Sequence, residues 1–138
     1  MNKPLVTDEL REISSNDDFS ARSAELVDSW ISDGVSVDVI GPVLRFMEEH
    51  PSVDFGAPGA LVHFLERFYR KGYEEELIAS VGRKPTPVTV WMVNRLLNGT
   101  KNEEERAVLL KLLEQVLINP LADSGAVQMA TRFLQRRA

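Results

Sequence analysis

The sequence has two histidines, and one of them, His63, has a carboxylate within one helical turn. His63 and Glu66 are three residues apart, so in a helix their side chains would share one face. A protein metal site usually has three or four ligands, and the sequence has neither a cysteine nor an HExxH pattern to complete such a set. We therefore predict no metal site. A pocket for a small molecule, lined by His63, Glu66 and Arg95, stays open.

Nucleophilic catalysis requires a hydroxyl or thiol, a base and a group that orients the base. The serines lie mostly where helices are predicted to begin, and no GxSxG motif is present. The carboxylates of Asp17-Asp18 and of Glu48-Glu49 belong to adjacent residues, whose side chains do not face each other on a helix. These patterns predict no catalytic residues, and we do not expect an enzyme.

Two short segments are candidates for phosphate binding. Gly56-Ala57-Pro58-Gly59 has two glycines but lacks the GxxxxGK motif and a preceding strand. Arg83 and Lys84 precede a predicted helix start at Thr86, where the helix dipole could attract an anion. Short basic loops of this kind are more often solvated surface. Neither segment predicts a bound cofactor.

The segment Pro51–Gly59 is the longest irregular stretch in the middle of the chain. Phe55 lies in it, next to Asp54 and shortly after Glu48 and Glu49. If Phe55 is exposed, its ring and the nearby carboxylates would suit a basic protein partner. The alternative is that Phe55 packs inward and holds the loop against the core. From the exposed arrangement we predict a partner-binding surface of Glu48, Glu49, Asp54 and Phe55.

The charge of the chain is unevenly distributed. Residues 1–55 contain 12 acidic and four basic side chains, a net charge of −8, whereas residues 56–138 contain nine acidic and 12 basic ones, a net charge of +3. The acidic part would repel a phosphate backbone, which argues against nucleic-acid binding there, and it would attract a basic protein. An acidic surface also serves simply as a solvated face.

Helix caps and apolar periodicity predict about eight helices. Pro42 suits the third helix only if that helix begins near Gly41, after a separate turn. Trp30 and Trp91 fall on apolar faces and are predicted to be core residues. The predicted N-caps in chain order are Thr7, Ser20, Ser36, Thr86, Asn102 and either Asp123 or Ser124.

The fourth and fifth predicted helices lie between these caps. Pro58 suits the first position of the fourth helix, which is predicted to end at Gly72. The fifth is predicted from Tyr73 to about Val81.

No segment shows strand-like alternation of useful length, and 138 residues suit one domain. The predicted fold is therefore all-α, a single helical domain over residues 1–138 with its helices in antiparallel pairs. Such pairs could stack as in HEAT or armadillo proteins. No strict repeat of roughly 40 residues is visible, so an irregular helical bundle is the alternative.

No targeting or membrane segment is visible in the sequence. No stretch reaches the roughly 18 consecutive apolar residues of a membrane span. Asp8 and Glu9 interrupt the N-terminal segment where a signal peptide would be apolar. We therefore expect a cytoplasmic protein that does not bind a membrane.

Two stretches resemble proteins of a known type. The first comprises Phe46–Pro51 (FMEEHP) and Asp54–Glu66 (DFGAPGALVHFLE), and the second is Arg83–Asn98 (RKPTPVTVWMVNRLLN). Together they make residues 37–117 similar to small helical bacterial immunity-type proteins of polymorphic toxin systems. The resemblance implies a non-enzymatic inhibitor that binds a cognate secreted toxin in the cytoplasm, and it implies no catalytic residues.

These observations favour an immunity protein that neutralises a cognate toxin by direct binding, and the acidic part of the chain suits a basic toxin. Two alternatives remain. One is a helical adaptor or scaffold with other protein partners. The other is a small-molecule binding protein that uses His63, Glu66 and Arg95.

Overall fold

A computed structural model describes residues 3–15, 17–56 and 58–137. Within the described residues the chain is 72% helical and contains no strand, which confirms the all-α prediction. The packing is compatible with a helical bundle, and the HEAT-like stack stays a prediction. The helices are α1 Lys3–Ile13, α2 Phe19–Ser32, α3 Ile40–Glu49, α4 Gly59–Glu66, α5 Tyr73–Arg83, α6 Pro87–Gly99, α7 Glu103–Val116 and α8 Ser124–Arg136, with a short 3-10 turn at Val37–Val39 before α3.

The chain divides into two compact units, Met1–Glu76 and Leu77–Ala138. The first contains α1 to α4 and the beginning of α5, and the second contains the rest of α5 together with α6, α7 and α8. The prediction of one domain over residues 1–138 stays a prediction.

The core of the first unit is rich in aromatic side chains. Trp30 of α2 is fully buried, and its ring centroid lies 5.4 Å from that of Phe64 on α4. The indole N–H of Trp30 donates a hydrogen bond to the carboxylate of Glu9 on α1, at 3.3 Å. This polar contact satisfies the one donor that a buried tryptophan carries. The prediction that Trp30 is a core residue is confirmed.

The second unit is built from α6, α7 and α8, each of which contacts the other two. Buried aliphatic side chains fill its centre, among them Val93, Leu97, Leu109 and Leu113. Trp91 is only half-buried, and the guanidinium of Arg95 lies over its ring at 5.2 Å from the centroid. Trp91 therefore lies at the edge of the core and not in its centre.

Arg137 closes the C-terminal end of α8 against α6. Its guanidinium donates hydrogen bonds to the side-chain oxygens of Asn94 and Asn98, both at 2.7 Å. Burial lowers the pKa of Arg137, and the neighbouring charge of Arg106 lowers that pKa further. An arginine stays protonated throughout the physiological range, so the contact is a charge-assisted one.

Three predicted caps are confirmed, and all lie in the second unit. Asn102 accepts a hydrogen bond from the backbone N–H of Glu105 at 2.9 Å, and Asp123 accepts one from Gly125 at 2.9 Å. Thr86 forms a reciprocal capping box with Thr89, and both side chains are fully buried. These caps satisfy backbone donors that the first turn of a helix leaves without a partner.

Replacing Thr86 by alanine is expected to lower the free energy of unfolding by about 1–2 kcal/mol. The change removes the hydroxyl that accepts from the backbone N–H of Thr89 and leaves this buried N–H without that partner. Thr86→Ser keeps the hydroxyl and should recover most of that loss. Urea denaturation followed by circular dichroism measures both variants, and equal losses for alanine and serine would contradict the capping role.

Other predicted helix ends are wrong. Ser20 is the second residue of α2, because the helix already begins at Phe19, whose ring is buried. Thr7 lies within α1, which begins at Lys3 and buries Val6. Ser36 precedes the 3-10 turn but makes no side-chain cap bond.

The third and fourth helices differ in how well they follow the prediction. The α3 helix begins at Ile40 after a separate turn, so Pro42 lies in its first turn as expected. The α4 helix begins at Gly59 and ends at Glu66, whereas the sequence predicted a helix from Pro58 to Gly72. Residues 67–72 form turns instead, and Arg70 there has a φ of +64°. The α5 helix begins at Tyr73 as predicted and extends to Arg83.

Candidate functional site

Two loops of the first unit lie on either side of an open cleft. One loop joins α1 to α2, and its first turn is closed by the hydroxyl of Ser14, which donates to the carbonyl of Arg11 at 2.8 Å. The other loop follows α3, and the carboxylate of Asp54 accepts the backbone N–H of Gly56 at 2.9 Å. Side-chain bonds of this kind hold a loop without a helix or a strand.

Gly56 allows the second loop to turn tightly. Its φ is +91°, a backbone conformation that residues with a Cβ atom rarely adopt. A Cβ at this position would lie 2.7 Å from the Cα of Gly59, so there is no space for one. The glycines in this segment therefore serve the turn, in agreement with the simpler of the two interpretations from sequence.

The cleft has a volume of about 390 Å³, and its lining is about as apolar as it is polar. The polar part consists mainly of hydroxyl and carboxylate groups, whose oxygens accept hydrogen bonds. Such a set suits an ammonium or guanidinium group, which donates several hydrogen bonds and carries a positive charge. The residues that line the cleft are Ser14, Ser15, Asp17, Phe19, Ser20, Ser52, Val53, Asp54 and Gly56.

An aromatic cluster lies beside the cleft. The ring of Phe55 meets those of Phe19 and Phe46 edge to face, with centroids 5.6 and 6.1 Å apart. The rings of Phe19 and Phe46 are stacked with their centroids 6.2 Å apart. The ring of His50 also stacks on that of Phe46, with the two centroids 4.2 Å apart. Contacts of this geometry stabilise a core beyond the area they bury. The cluster fixes the second loop to α2 and α3.

The predicted partner-binding surface is partly wrong. Phe55 is only 6% exposed and Glu48 is also only 6% exposed, so neither side chain can anchor a partner as an exposed group. The ring of Phe55 is buried because packing in the aromatic cluster removes its apolar surface from water, which is favourable. The alternative interpretation, that Phe55 packs inward and holds the loop, is the one the structure shows.

The other two residues of that surface are exposed. Asp54 lines the cleft, and Glu49 lies at the end of α3 with a carboxylate oxygen 3.9 Å from the guanidinium of Arg11 on α1. Both partners of this ion pair are more than half exposed, so water screens the contact and it contributes little to stability.

Sequence reasoning missed the first of the two loops. Asp17 was considered only as a carboxylate adjacent to that of Asp18, and neither Ser14 nor Ser15 was predicted as a site residue. The available signal was that two polar, serine-containing loops each follow a helix of one acidic region. Nothing in the spacing of residues 14–17 and 52–56 shows that the two loops come together, because they are separated by two helices along the chain.

The structure brings His63 and Glu66 together as predicted. The Nδ1 atom of His63 lies 3.5 Å from a carboxylate oxygen of Glu66, one turn away on α4, and the histidine is exposed. Arg95 belongs to the second unit, where it lies over Trp91. A pocket lined by all three side chains stays a prediction.

The residues that the structure describes contain neither a metal-binding cluster nor a membrane-spanning helix. No group of three or more His, Cys, Asp or Glu side chains in those residues is placed so that it could hold a metal ion. None of the described helices is both long enough and apolar enough to cross a membrane.

The two units differ sharply in charge. Met1–Glu76 contains 16 acidic and seven basic side chains, a net charge of −9, whereas Leu77–Ala138 contains five acidic and nine basic ones, a net charge of +4. The boundary between the units thus separates the charges more completely than the division at residue 55 does. Most acidic side chains of the first unit are exposed: among them are Asp8, Glu12, Asp17, Asp28, Asp33, Asp38, Glu49, Asp54, Glu75 and Glu76.

No family model, curated protein or solved structure matches the chain. The likeness of residues 37–117 to immunity-type proteins therefore stays a prediction.

Proposed function

We propose that the protein is a non-enzymatic, cytoplasmic immunity protein that neutralises a cognate bacterial toxin by binding it directly. The observation that carries the proposal is the exposed acidic surface of the first unit, whose net charge is −9. A basic toxin is the partner that this charge favours. The resemblance of residues 37–117 to immunity-type proteins supports the same assignment.

The acidic surface would act mainly on the rate of association. A concentrated negative charge attracts a basic protein over distances of about a Debye length and orients it before contact. Electrostatic attraction of this kind raises association rates by factors of about 10 to 1,000. A fast association suits an inhibitor that must capture a toxin before the toxin reaches its target.

The cleft supplies a place for short-range contacts. Its open volume of about 390 Å³ is large enough for the end of a lysine or arginine side chain, and its oxygens are acceptors for that side chain. The rigid aromatic cluster beside it holds the second loop in place before binding. A site that is already ordered loses less conformational entropy when a partner binds.

Charge reversal in the first unit is expected to weaken toxin binding strongly. The double variant Asp17→Lys/Glu49→Lys places two positive charges at the cleft and at the end of α3. We expect an association rate constant at least about tenfold lower, with a weaker dependence on salt. The probe is the toxin encoded beside this gene, measured by surface plasmon resonance at several ionic strengths and by protection in co-expression.

The matched control is Glu104→Lys/Glu114→Lys, which changes the net charge by the same amount in the second unit. Its side chains are exposed on α7, so folding should be retained. If both double variants slow association equally, net charge alone matters and the assigned surface is wrong. If the unmodified protein neither binds the neighbouring toxin nor protects cells from it, the proposed function fails.

A further inference from the structure

The loop between α7 and α8 exposes three aliphatic side chains. Leu117, Ile118 and Leu121 are 40%, 82% and 62% exposed, and they are half of the exposed large hydrophobic residues found among the described part of the chain. We call these three residues the aliphatic loop. A cluster of exposed aliphatic side chains is costly in water, and it commonly marks a contact surface.

The backbone of the aliphatic loop is held in one conformation. The side chain of Asn119 donates to the carbonyl of Gly82 at 3.1 Å and accepts the N–H of Leu121 at 2.9 Å. At the end of the loop, the N–H of Asp123 donates to the carbonyl of Pro85 at 3.1 Å. The aliphatic side chains are therefore presented by an ordered segment, so a partner would not have to order it.

These hydrogen bonds also place the aliphatic loop next to a basic segment. Gly82 and Pro85, which accept them, flank Arg83 and Lys84. The nearby acidic groups are Glu114, one turn before Leu117, and Asp123, whose carboxylate caps α8. The unit as a whole carries a net charge of +4. A complementary partner would offer an apolar hollow with an acidic rim.

The first unit of the same chain has such a hollow. It has a volume of about 340 Å³ and lies between the turn before α3 and the beginning of α5. Val37, which is 44% exposed, gives it an apolar side, whereas Ile40 also lines it but is almost fully buried, and Gly41 leaves it open because it has no side chain. The charged residues that line it are Asp38, Glu75 and Glu76 on the acidic side and Lys71 on the basic side.

We propose that the aliphatic loop of one copy docks into this acid-rimmed hollow of a second copy. Ile118 and Leu121 would enter the hollow beside Val37, and Arg83 and Lys84 would approach its carboxylates. The volume accommodates two aliphatic side chains, and the charges of the two surfaces are opposite. A symmetric pairing of two aliphatic loops is disfavoured, because it would bring the two basic segments together.

The contact uses different surfaces on the two copies. Each copy would therefore keep one free loop or one free hollow after pairing, and the assembly would grow with concentration unless a ring closes. The aliphatic loop offers three exposed aliphatic side chains, whereas a stable interface uses about 20–30 residues on each side. The self-association is therefore a weak one, in the micromolar range or above.

Sedimentation velocity of the full chain at low salt, over a hundredfold range of concentration, tests the proposal. We expect self-association that Ile118→Glu and Val37→Lys each weaken at least about tenfold. The matched controls Val108→Glu and Ile31→Lys alter exposed aliphatic residues of the same two units outside the loop and the hollow, and they should associate like the unmodified protein.

Mixing the two weakened variants gives the sharpest result. Ile118→Glu keeps its hollow and Val37→Lys keeps its loop, so their mixture should form a one-to-one dimer that cannot grow further. A protein that stays monomeric at all concentrations overturns the proposal, as does association that the two variants leave unchanged. Binding of the aliphatic loop to vesicles of anionic lipid by an otherwise monomeric protein would assign the loop to a membrane and overturn it as well. None of these outcomes depends on a toxin.

Discussion

Replacing Trp30 by alanine is expected to lower the free energy of unfolding by about 3–5 kcal/mol. The side chain is fully buried, so its removal leaves a large cavity beside Phe64. The carboxylate of Glu9 also loses the indole N–H that donates to it. Both effects lower the free energy of unfolding, because the residues around the cavity lose packing contacts and the carboxylate loses a hydrogen bond.

Trp91→Ala is the matched control for this prediction. Trp91 is half-buried and contacts the guanidinium of Arg95 at the edge of the second unit. Trp91→Ala should lower the free energy of unfolding by about 1 kcal/mol, close to the average for single substitutions. Chemical denaturation of both variants, followed by circular dichroism, provides the comparison. Equal losses would show that Trp30 does not occupy the packed position described above.

Replacing Phe55 by alanine is expected to cost about 3 kcal/mol of the free energy of unfolding. The ring contacts both Phe19 and Phe46, so its removal opens a cavity in the aromatic cluster and releases the loop that carries Asp54. Val53→Ala lies in the same loop, but its side chain is only half-buried, so it should cost much less. Denaturation with urea separates the two variants.

A second substitution of Phe55 tests whether its ring is a core residue or an exposed anchor for a partner. Phe55→Leu keeps most of the apolar volume and should retain both the fold and the affinity for a protein partner. An exposed aromatic anchor would lose at least about 2 kcal/mol of binding free energy on such a change, because its ring would fill a pocket of the partner. Strong loss of toxin binding in a folded Phe55→Leu variant would therefore contradict the buried position.

Local signals account for the confirmed parts of the sequence analysis. The caps Thr86, Asn102 and Asp123 are correct because each side chain reaches backbone donors only two or three residues away. Interactions of such short range are fully contained in the sequence of one segment.

The wrong helix ends have different causes. The α2 helix begins at Phe19 and not after Ser20, because Phe19 contacts Phe46 and Phe55, which are distant in sequence. The α4 helix ends at Glu66, and beyond it the backbone N–H of Arg70 donates to the carboxylate of Glu74, only four residues further on, at 3.0 Å. A cap predicted at Ser20 contains no information on distant partners, and apolar periodicity alone continues the fourth helix past Glu66.

The sequence by itself determined the helical class of this protein, most of its helices and the concentration of negative charge towards its N-terminus. These properties depend on residue types and on spacings of a few residues. Only the tertiary structure decided that Phe55 and Glu48 are buried, because burial depends on packing against segments far along the chain. It alone also brought Asp17 and Phe19 to one cleft with Ser52 and Asp54. It likewise placed Leu117, Ile118 and Leu121 on an ordered, exposed loop, since both arrangements arise from contacts between elements that no local pattern encodes.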